Sequence, residues 1–179
     1  MRILALNASP NRTKGNTHAV LTPFLDSAAE HGAEVESVLV ADLDVQPCRG
    51  CYACWRGQGE CVIRDDMDSL RPRIATAEVL VLGVPLYVDA MPGPLKTVVD
   101  RLLPAFQPRI EFVDDHCRHP RRDTTTGLNR IVLVSVCGFW EPDNFDVLVV
   151  WVEALARNLW SEVAGSCDPT PMPTAACLR

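Results

Sequence analysis

Residues 2–17 read RILALNASPNRTKGNT, and the order of these letters decides the fold. Arg2–Asn7 is a short apolar run, which reads as a strand buried on both sides. A stretch of turn formers and hydroxyls follows. A helix is then expected from about Thr17 to His31, with Val20, Phe24 and Ala28 on one face and Gly32 as its stop. Pro23 removes an interior hydrogen bond and predicts a kink. A buried strand that passes through a polar turn into a helix is the opening of an α/β unit. The turn lies where ligands bind in such folds, beyond a strand's carboxyl end and before a helix N-terminus that favours anions. Ser9 and Thr17 offer hydroxyls there, Asn11 and Asn16 amides, and Arg12 or Lys14 a charge. The loop is neither G-x-G-x-x-G nor G-x-x-x-x-G-K-[ST], so it suits a phosphate monoester better than a pyrophosphate or a magnesium nucleotide. An ordinary polar loop accounts for the same letters.

The alternation continues outward from this unit. Ala33–Val40 reads as a strand, about Asp68–Ala75 as a short helix, and EVLVLGVP (Glu78–Pro85) as the clearest buried strand. Pro94 opens a helix whose inward face is Leu95, Val98, Val99, Leu102 and Phe106. Residues 107–129 are polar and irregular, and RIVLVSV (Arg130–Val136) is another strand. Asp143 caps a helix running to about Leu159, although its VLVVWV core is rich in β-branched residues. Trp160–Cys167 is the candidate fifth strand, and the tail DPTPMPTAACLR lacks the pattern of an amphipathic helix. A final covering helix is therefore short, absent or supplied by a partner. Strands alternating with helices predict a parallel sheet covered on both faces. With no internal repeat or linker, one domain over 1–179 is expected, carrying a cysteine-rich insertion at about 47–67.

Composition narrows the class. At 47% hydrophobic and 22% charged residues, the 179-residue chain is globular rather than disordered. A net charge of −6 with no basic stripe argues against a nucleic-acid partner. No apolar run approaches the roughly 20 residues a membrane span needs. The start, MRILALNASP, lacks a signal peptide's long apolar core, so a reducing cytoplasmic setting is expected. Eight cysteines in that setting point to metal binding or redox chemistry.

Two further turns follow the third and fourth strands. PLYVDAMPGPLKTVVDR (Pro85–Arg101) offers Tyr87 beside prolines and a glycine, and CGFWEPDNF (Cys137–Phe145) offers Phe139 and Trp140 with Gly138 for close backbone approach. Three neighbouring turns, one suited to phosphate and two to a flat ring, describe a mouth for flavin mononucleotide.

These three segments resemble the FMN-contacting segments of the NADPH-dependent FMN reductase-like superfamily. PCRGCYACWRGQGECVIRDDM (Pro47–Met67) is similar to the compact cysteine segment of its iron–sulfur flavoprotein branch, and RIEFVDDHCRHP (Arg109–Pro120) to a loop of that branch. The resemblance implies a flavodoxin-like three-layer α/β/α sandwich on a parallel five-stranded sheet of order 2-1-3-4-5. It also implies that Ser9, Asn11, Asn16 and Thr17 hold the FMN phosphate. Pro85, Leu86, Tyr87 and Val88 would line the isoalloxazine, with Cys137, Gly138 and Phe139 closing the other side. His119 matches a histidine of the branch's loop and could reach a substrate or a neighbouring subunit.

The cysteines Cys48, Cys51, Cys54 and Cys61 are spaced C-x2-C-x2-C-x6-C. Structural zinc ordinarily uses two separated C-x-x-C knuckles, whereas three thiolates at three-residue intervals with a near fourth suit a 4Fe–4S cluster. Gly50, Gly57 and Gly59 supply backbone freedom for a tight wrap. The resembled branch binds a cluster through cysteines spaced this way; zinc, or free or reversibly paired thiols, remain open from the spacing. Cys117, Cys167 and Cys177 are isolated, and Arg118, Arg121 and Arg122 form a basic cluster that a cofactor phosphate could use. Asp65 and Asp66 read as caps of the following helix.

The expectation is an FMN-dependent oxidoreductase that takes electrons from NAD(P)H or a ferredoxin and passes them through FMN and a 4Fe–4S cluster to a small-molecule or protein acceptor. No side chain need act as acid or base, since the cofactor carries the chemistry. One alternative is a cluster-free NAD(P)H-dependent reductase of quinones or free flavins. Another is a zinc-stabilised, non-catalytic module of the same fold. A homodimer or homotetramer is expected from the resemblance.

Overall fold

The computed structural model describes residues 1–123, 127–159 and 161–164 and the backbone of 175–178. Its main sheet is built from β1 (Arg2–Asn7), β2 (Glu34–Leu39), β3 (Val79–Pro85), β6 (Arg130–Cys137) and β7 (Glu162–Val163), all parallel, in the order β2-β1-β3-β6-β7. That is the 2-1-3-4-5 order of a flavodoxin-like sheet. β3 is buried at every residue, as a central parallel strand must be.

Side-chain alternation along the strands divides the core in two. Ile3, Ala5, Val79, Val81 and Val134 pack against α1 (Asn16–Glu30) through Leu21 and Leu25, flanked by the half-buried Val20, Phe24 and Ala28. Leu4, Leu6, Leu80, Leu82, Ile131 and Leu133 face the other way. They pack against α3 (Met67–Thr76), α4 (Gly93–Asp100) and α5 (Asp146–Asn158). Among the described helices, α1 alone covers its face.

Several local expectations change. α1 runs unbroken through Pro23, whose ring lies on the exposed side, where water can take the carbonyl left without a donor. Residues 107–129 hold a hairpin of β4 (Glu111–Val113) and β5 (His116–Arg118), turned by Asp114 and Asp115 at φ of +49° and +61°. The β-branched run after Asp146 is helical, because Leu148, Val149, Val152 and Ala156 fall on one buried face. The expected fifth strand is reduced to Glu162–Val163; Trp160 and residues 165–167, including Cys167, lie outside the described residues. β8 (Ala175–Leu178) returns antiparallel beside the carboxyl half of β6, and residues 165–174, where a covering helix would fall, lie outside the described residues. Among the described residues no helix is long and apolar enough to cross a membrane.

Leu82 is fully buried at the centre of the larger core. Leu82→Ala is expected to lower unfolding free energy by about 2–5 kcal/mol in urea titrations; a loss below about 1 kcal/mol would contradict this packing.

Candidate functional site

β1, β3 and β6 are neighbours whose carboxyl ends are in register, Asn7 opposite Gly83 and Pro85 opposite Val136. The Ala8 N–H donates to the Gly83 carbonyl at 2.8 Å, and the Leu86 N–H to that of Val136 at 2.9 Å. The three loops singled out from the sequence therefore leave the sheet side by side.

The first loop folds around buried polar groups. Asn7 Oδ1 accepts from the Ser9 N–H at 3.0 Å, and Ser9 Oγ accepts from the Asn11 N–H at 3.3 Å. A Cβ on Gly15 would stand 2.4 Å from Ser9 Oγ, so the backbone closes on that hydroxyl only because residue 15 has no side chain. α1 starts at Asn16 with no side chain capping it, which leaves its first N–H groups open toward the loop. Thr17 Oγ1 and Asn7 Nδ2 are buried without a hydrogen-bond partner. An unpaired buried donor costs about 1–3 kcal/mol, and an anion at the helix start is the natural acceptor. Asn11 and Asn16 stand exposed at the rim. Arg12 does not supply the expected charge: it pairs with Asp42 and donates to the Ala41 carbonyl at 3.3 Å, beyond β2. Asn7, read from the sequence only as a strand end, is an additional polar member of this loop.

The second loop is a tight two-residue turn. Tyr87 and Ala90 exchange backbone hydrogen bonds of 2.9 and 3.1 Å, and Val88 and Asp89 between them have φ of +49° and +59°. A β-branched residue in the left-handed region is strained, and the turn holds Val88 almost wholly in solvent, 96% exposed. Pro85 is buried as the last residue of β3, with Leu86 half-buried behind the turn. In the third loop Cys137 is turned into the core, its Sγ accepting from the Phe139 N–H at 3.4 Å. Its side chain thus supports the loop from behind. Gly138 has open space where a Cβ would stand, and Phe139 and Trp140 are 67% and 68% exposed. Exposed apolar side chains at one end of the sheet make this a candidate binding surface. Two open clefts lie elsewhere. One of about 290 Å³ sits against α3 and the turn after α4, and one of about 310 Å³ lies between Trp55, α4 and α5. The strand-end mouth is open surface; its orphaned donors and strained turn single it out.

The cysteine segment leaves the same end of the sheet, after β2. Cys48, Cys51, Cys54 and Cys61 line one small cavity together with Arg101 and Leu103. The chain reaches this arrangement through left-handed turns at Gly50 (φ +62°) and Tyr52 (φ +53°), one between each successive pair of the first three cysteines. Gly59 is also left-handed, whereas Gly57 is not. α2 (Ala53–Arg56) then carries Cys54 inward. Burial pushes the Cys54 thiol up, and Cys61, Cys48 and Cys51 push it further, so the sulfurs sit within one another's fields. Such a donor set fits a group that takes several thiolates and brings positive charge. Among the described residues no three His, Cys, Asp or Glu side chains converge on a single metal-ion position.

A buried ion pair anchors this segment. Arg101, 1% exposed, donates from Nη1 to Asp65 Oδ2 at 2.6 Å and from Nη2 to Oδ1 at 3.0 Å. The same guanidinium donates to the Gln46 carbonyl at 2.7 Å and to the Ile63 carbonyl at 3.3 Å, so it grips the chain before the first cysteine and after the last. Asp65 also accepts from the Gln46 and Met67 N–H groups at 2.9 and 3.0 Å. Burial alone would raise the Asp65 carboxyl; Arg101 and these N–H groups outweigh it and hold the pKa below the usual value. Asp65 is thus the partner of a buried cation as well as a cap. The sequence signal was an arginine next to the inward-facing Val98 and Leu102, with a carboxylate just beyond the last cysteine. The 109–120 hairpin packs on the same segment: the His119 ring lies tilted against Trp55, centroids 4.6 Å apart, while its Nδ1 meets the Arg109 carbonyl at 2.9 Å. Arg122 donates to the Cys54 carbonyl at 3.0 Å, Arg121 to that of Leu128 at 3.0 Å, and Arg118 to Asn158 Oδ1 at 3.0 Å. The basic cluster therefore braces the fold.

The sequence profile of the family described as NADPH-dependent FMN reductase matches residues 1–114. An iron-sulfur flavoprotein of Methanocaldococcus jannaschii is 35% identical over 104 residues, 58% of this chain and 53% of that protein. An iron-sulfur flavoprotein of Methanosarcina thermophila is 34% identical over 101 residues, 56% of this chain and 52% of that protein. The chain spans about half the length of these curated relatives. The solved NAD(P)H:quinone oxidoreductase from Methanothermobacter marburgensis superimposes with a TM-score of 0.66 at 18% identity, over 92% of this chain and 84% of its own. At that identity the likeness speaks to the fold alone.

The ion pair sets a pH dependence. Between the folded Asp65 pKa and the ordinary carboxylate value near about 4, the unfolded chain binds more protons than the native one, so stability rises with pH in that window. The contribution is full above the ordinary value and is lost as pH falls through the folded one. Asp65→Asn leaves Arg101 buried and unpaired, and is expected to cost about 3–5 kcal/mol at pH 7 and to flatten this acid slope. Urea unfolding across pH checks both; a variant as stable as wild type at pH 7 contradicts the clamp.

Proposed function

The chain belongs to the NADPH-dependent FMN reductase family, and from that premise we propose that it is an FMN-dependent oxidoreductase of iron–sulfur flavoprotein type. The observation that carries the reading is the first loop, where Ser9 lies under Gly15 and Thr17 Oγ1 is buried without a partner at an uncapped helix start. Ser9, Thr17 and the opening N–H groups of α1 would bind the FMN phosphate, with Asn11 and Asn16 at the rim. Pro85, Leu86, Tyr87 and Val88 would orient the ring from one side. Gly138 and Phe139 would do so from the other, with Cys137 buttressing their turn, and Phe139 and Trp140 would exclude water. Cys48, Cys51, Cys54 and Cys61 would hold a 4Fe–4S cluster. A single zinc ion needs its sulfurs about 2.3 Å from one point, whereas a cubane gives each thiolate its own iron. What supports the second arrangement is that all four cysteines line one cavity at the C-x2-C-x2-C-x6-C spacing. When bound, the flavin supplies exchange between two-electron and one-electron couples and the cluster carries single electrons. NAD(P)H or a ferredoxin as donor, and a small-molecule or protein acceptor, complete the proposal, as does a homo-oligomeric assembly.

Anaerobic purification with iron, sulfide and absorption measurements tests this. Brown protein with about four irons and four sulfides per chain is expected, and Cys51→Ser should remove that signal while leaving the yellow flavin. Yellow, iron-free wild-type protein would reduce the reading to a cluster-free reductase, and colourless zinc protein would overturn it. Gly15→Ala drives a Cβ into Ser9 Oγ at a φ of −87°, which any residue tolerates, so the damage is confined to the loop. FMN affinity should fall at least about tenfold, roughly the loss of one charge-assisted hydrogen bond, with little change in apoprotein stability. Unchanged FMN affinity would move the phosphate elsewhere.

A further inference from the structure

Arg101 does more than pin the cysteine segment. Its donors Nη1 and Nη2 are spent on Asp65, Gln46 and Ile63, yet its Nε–H is buried with no acceptor. The residue also lines the cavity that the four cysteines surround, and Cys61 is the remaining polar side chain the guanidinium meets. A fully buried guanidinium in the wall of a thiolate cage, with its Nε–H unpaired and Cys61 within its reach, has a sulfur as its natural remaining acceptor. Lys96 and Asp100 on the preceding helix are paired with each other, and Arg49, the other cation that lines the cavity, is exposed to solvent, so Arg101 is the buried charge in its wall.

We propose that Arg101 is a positioning residue that sets the reduction potential of the cluster. The proposal rests on the cluster reading above. Arg101 would turn Cys61 toward the cavity and place a permanent positive charge beside it. Reduction adds one negative charge to the caged group, and a buried cation in a medium of low dielectric favours that more negative form. The charge cannot be lost by deprotonation at any accessible pH, which distinguishes arginine from lysine in this role. Asp65, on the opposite side of the fork, balances the charge and partly offsets its effect.

The test is a one-electron spectroelectrochemical titration of the reconstituted full chain as wild type, as Arg101→Lys, and as the neutral pair Arg101→Gln with Asp65→Asn. Iron and sulfide content and apoprotein melting are measured in parallel. The neutral pair removes both charges together, so that neither is left buried without its partner, while both positions stay polar. At the wild-type midpoint its reduced-to-oxidised ratio should fall about tenfold, which is about 59 mV for one electron. Arg101→Lys should stay within about threefold of wild type. A purely structural role would lower melting without moving the midpoint. If the neutral pair assembles no cluster while Arg101→Lys does, and the two apoproteins melt alike, the charge itself is required and the inference stands. An unchanged midpoint in a neutral pair that keeps its iron overturns it, as does equal loss of iron from both variants. A wild-type chain that takes up no iron removes the cluster reading itself, and this inference with it.

Discussion

Because β2, β1, β3, β6 and β7 all run the same way, every loop that follows a strand emerges at one end of the sheet. Both candidate sites depend on that constraint. Register places Asn7, Pro85 and Cys137 at adjoining strand ends, so a loop of unpaired buried polar groups, a strained turn carrying Tyr87 and a buttressed aromatic loop become neighbours although they are far apart in sequence. The cysteine segment follows β2 and enters at the same end. Its position is then fixed by one guanidinium that bonds to the chain on either side of it.

The buried Arg101–Asp65 pair illustrates how an ionic contact earns its place by specifying position. Replacing such a pair with apolar residues is often neutral for stability. What it provides here is a defined geometry for a segment with little apolar material of its own: of its residues 48–61, only Cys54 is buried. Trp55 against His119, and Arg122 on the Cys54 carbonyl, hold the outer side. The cysteines are therefore placed by groups outside the C-x2-C-x2-C-x6-C motif, mostly from α4 and the 109–120 hairpin.

Most of the parallel sheet was legible because β1, β3 and β6 are buried apolar runs, and such runs admit few other readings. The hairpin at 111–118 was not: its strands are three residues each and its turn relies on two aspartates in the left-handed region, a conformation usually signalled by Gly or Asn. The kink expected at Pro23 was a local rule overridden by exposure. Within the sites, the hydroxyls and aromatics of the three loops could be read from residue type and place. Asn7, Arg101 and Trp55 could not, since their importance lies in which partner they meet or lack across as many as 64 residues of chain, the Trp55–His119 separation. The role expected of Arg12 failed for the same reason, because Asp42 on a neighbouring loop claims it.

The central claim is that the three strand-end loops grip a flavin through its phosphate. Parallel fluorescence titrations of the apoprotein with FMN and with riboflavin, which lacks only that phosphate, test it most directly. The account predicts one FMN per chain bound at least about a hundredfold more tightly than riboflavin, the worth of one or two charge-assisted hydrogen bonds. Equal affinity for the two, or no uptake of either, would contradict it.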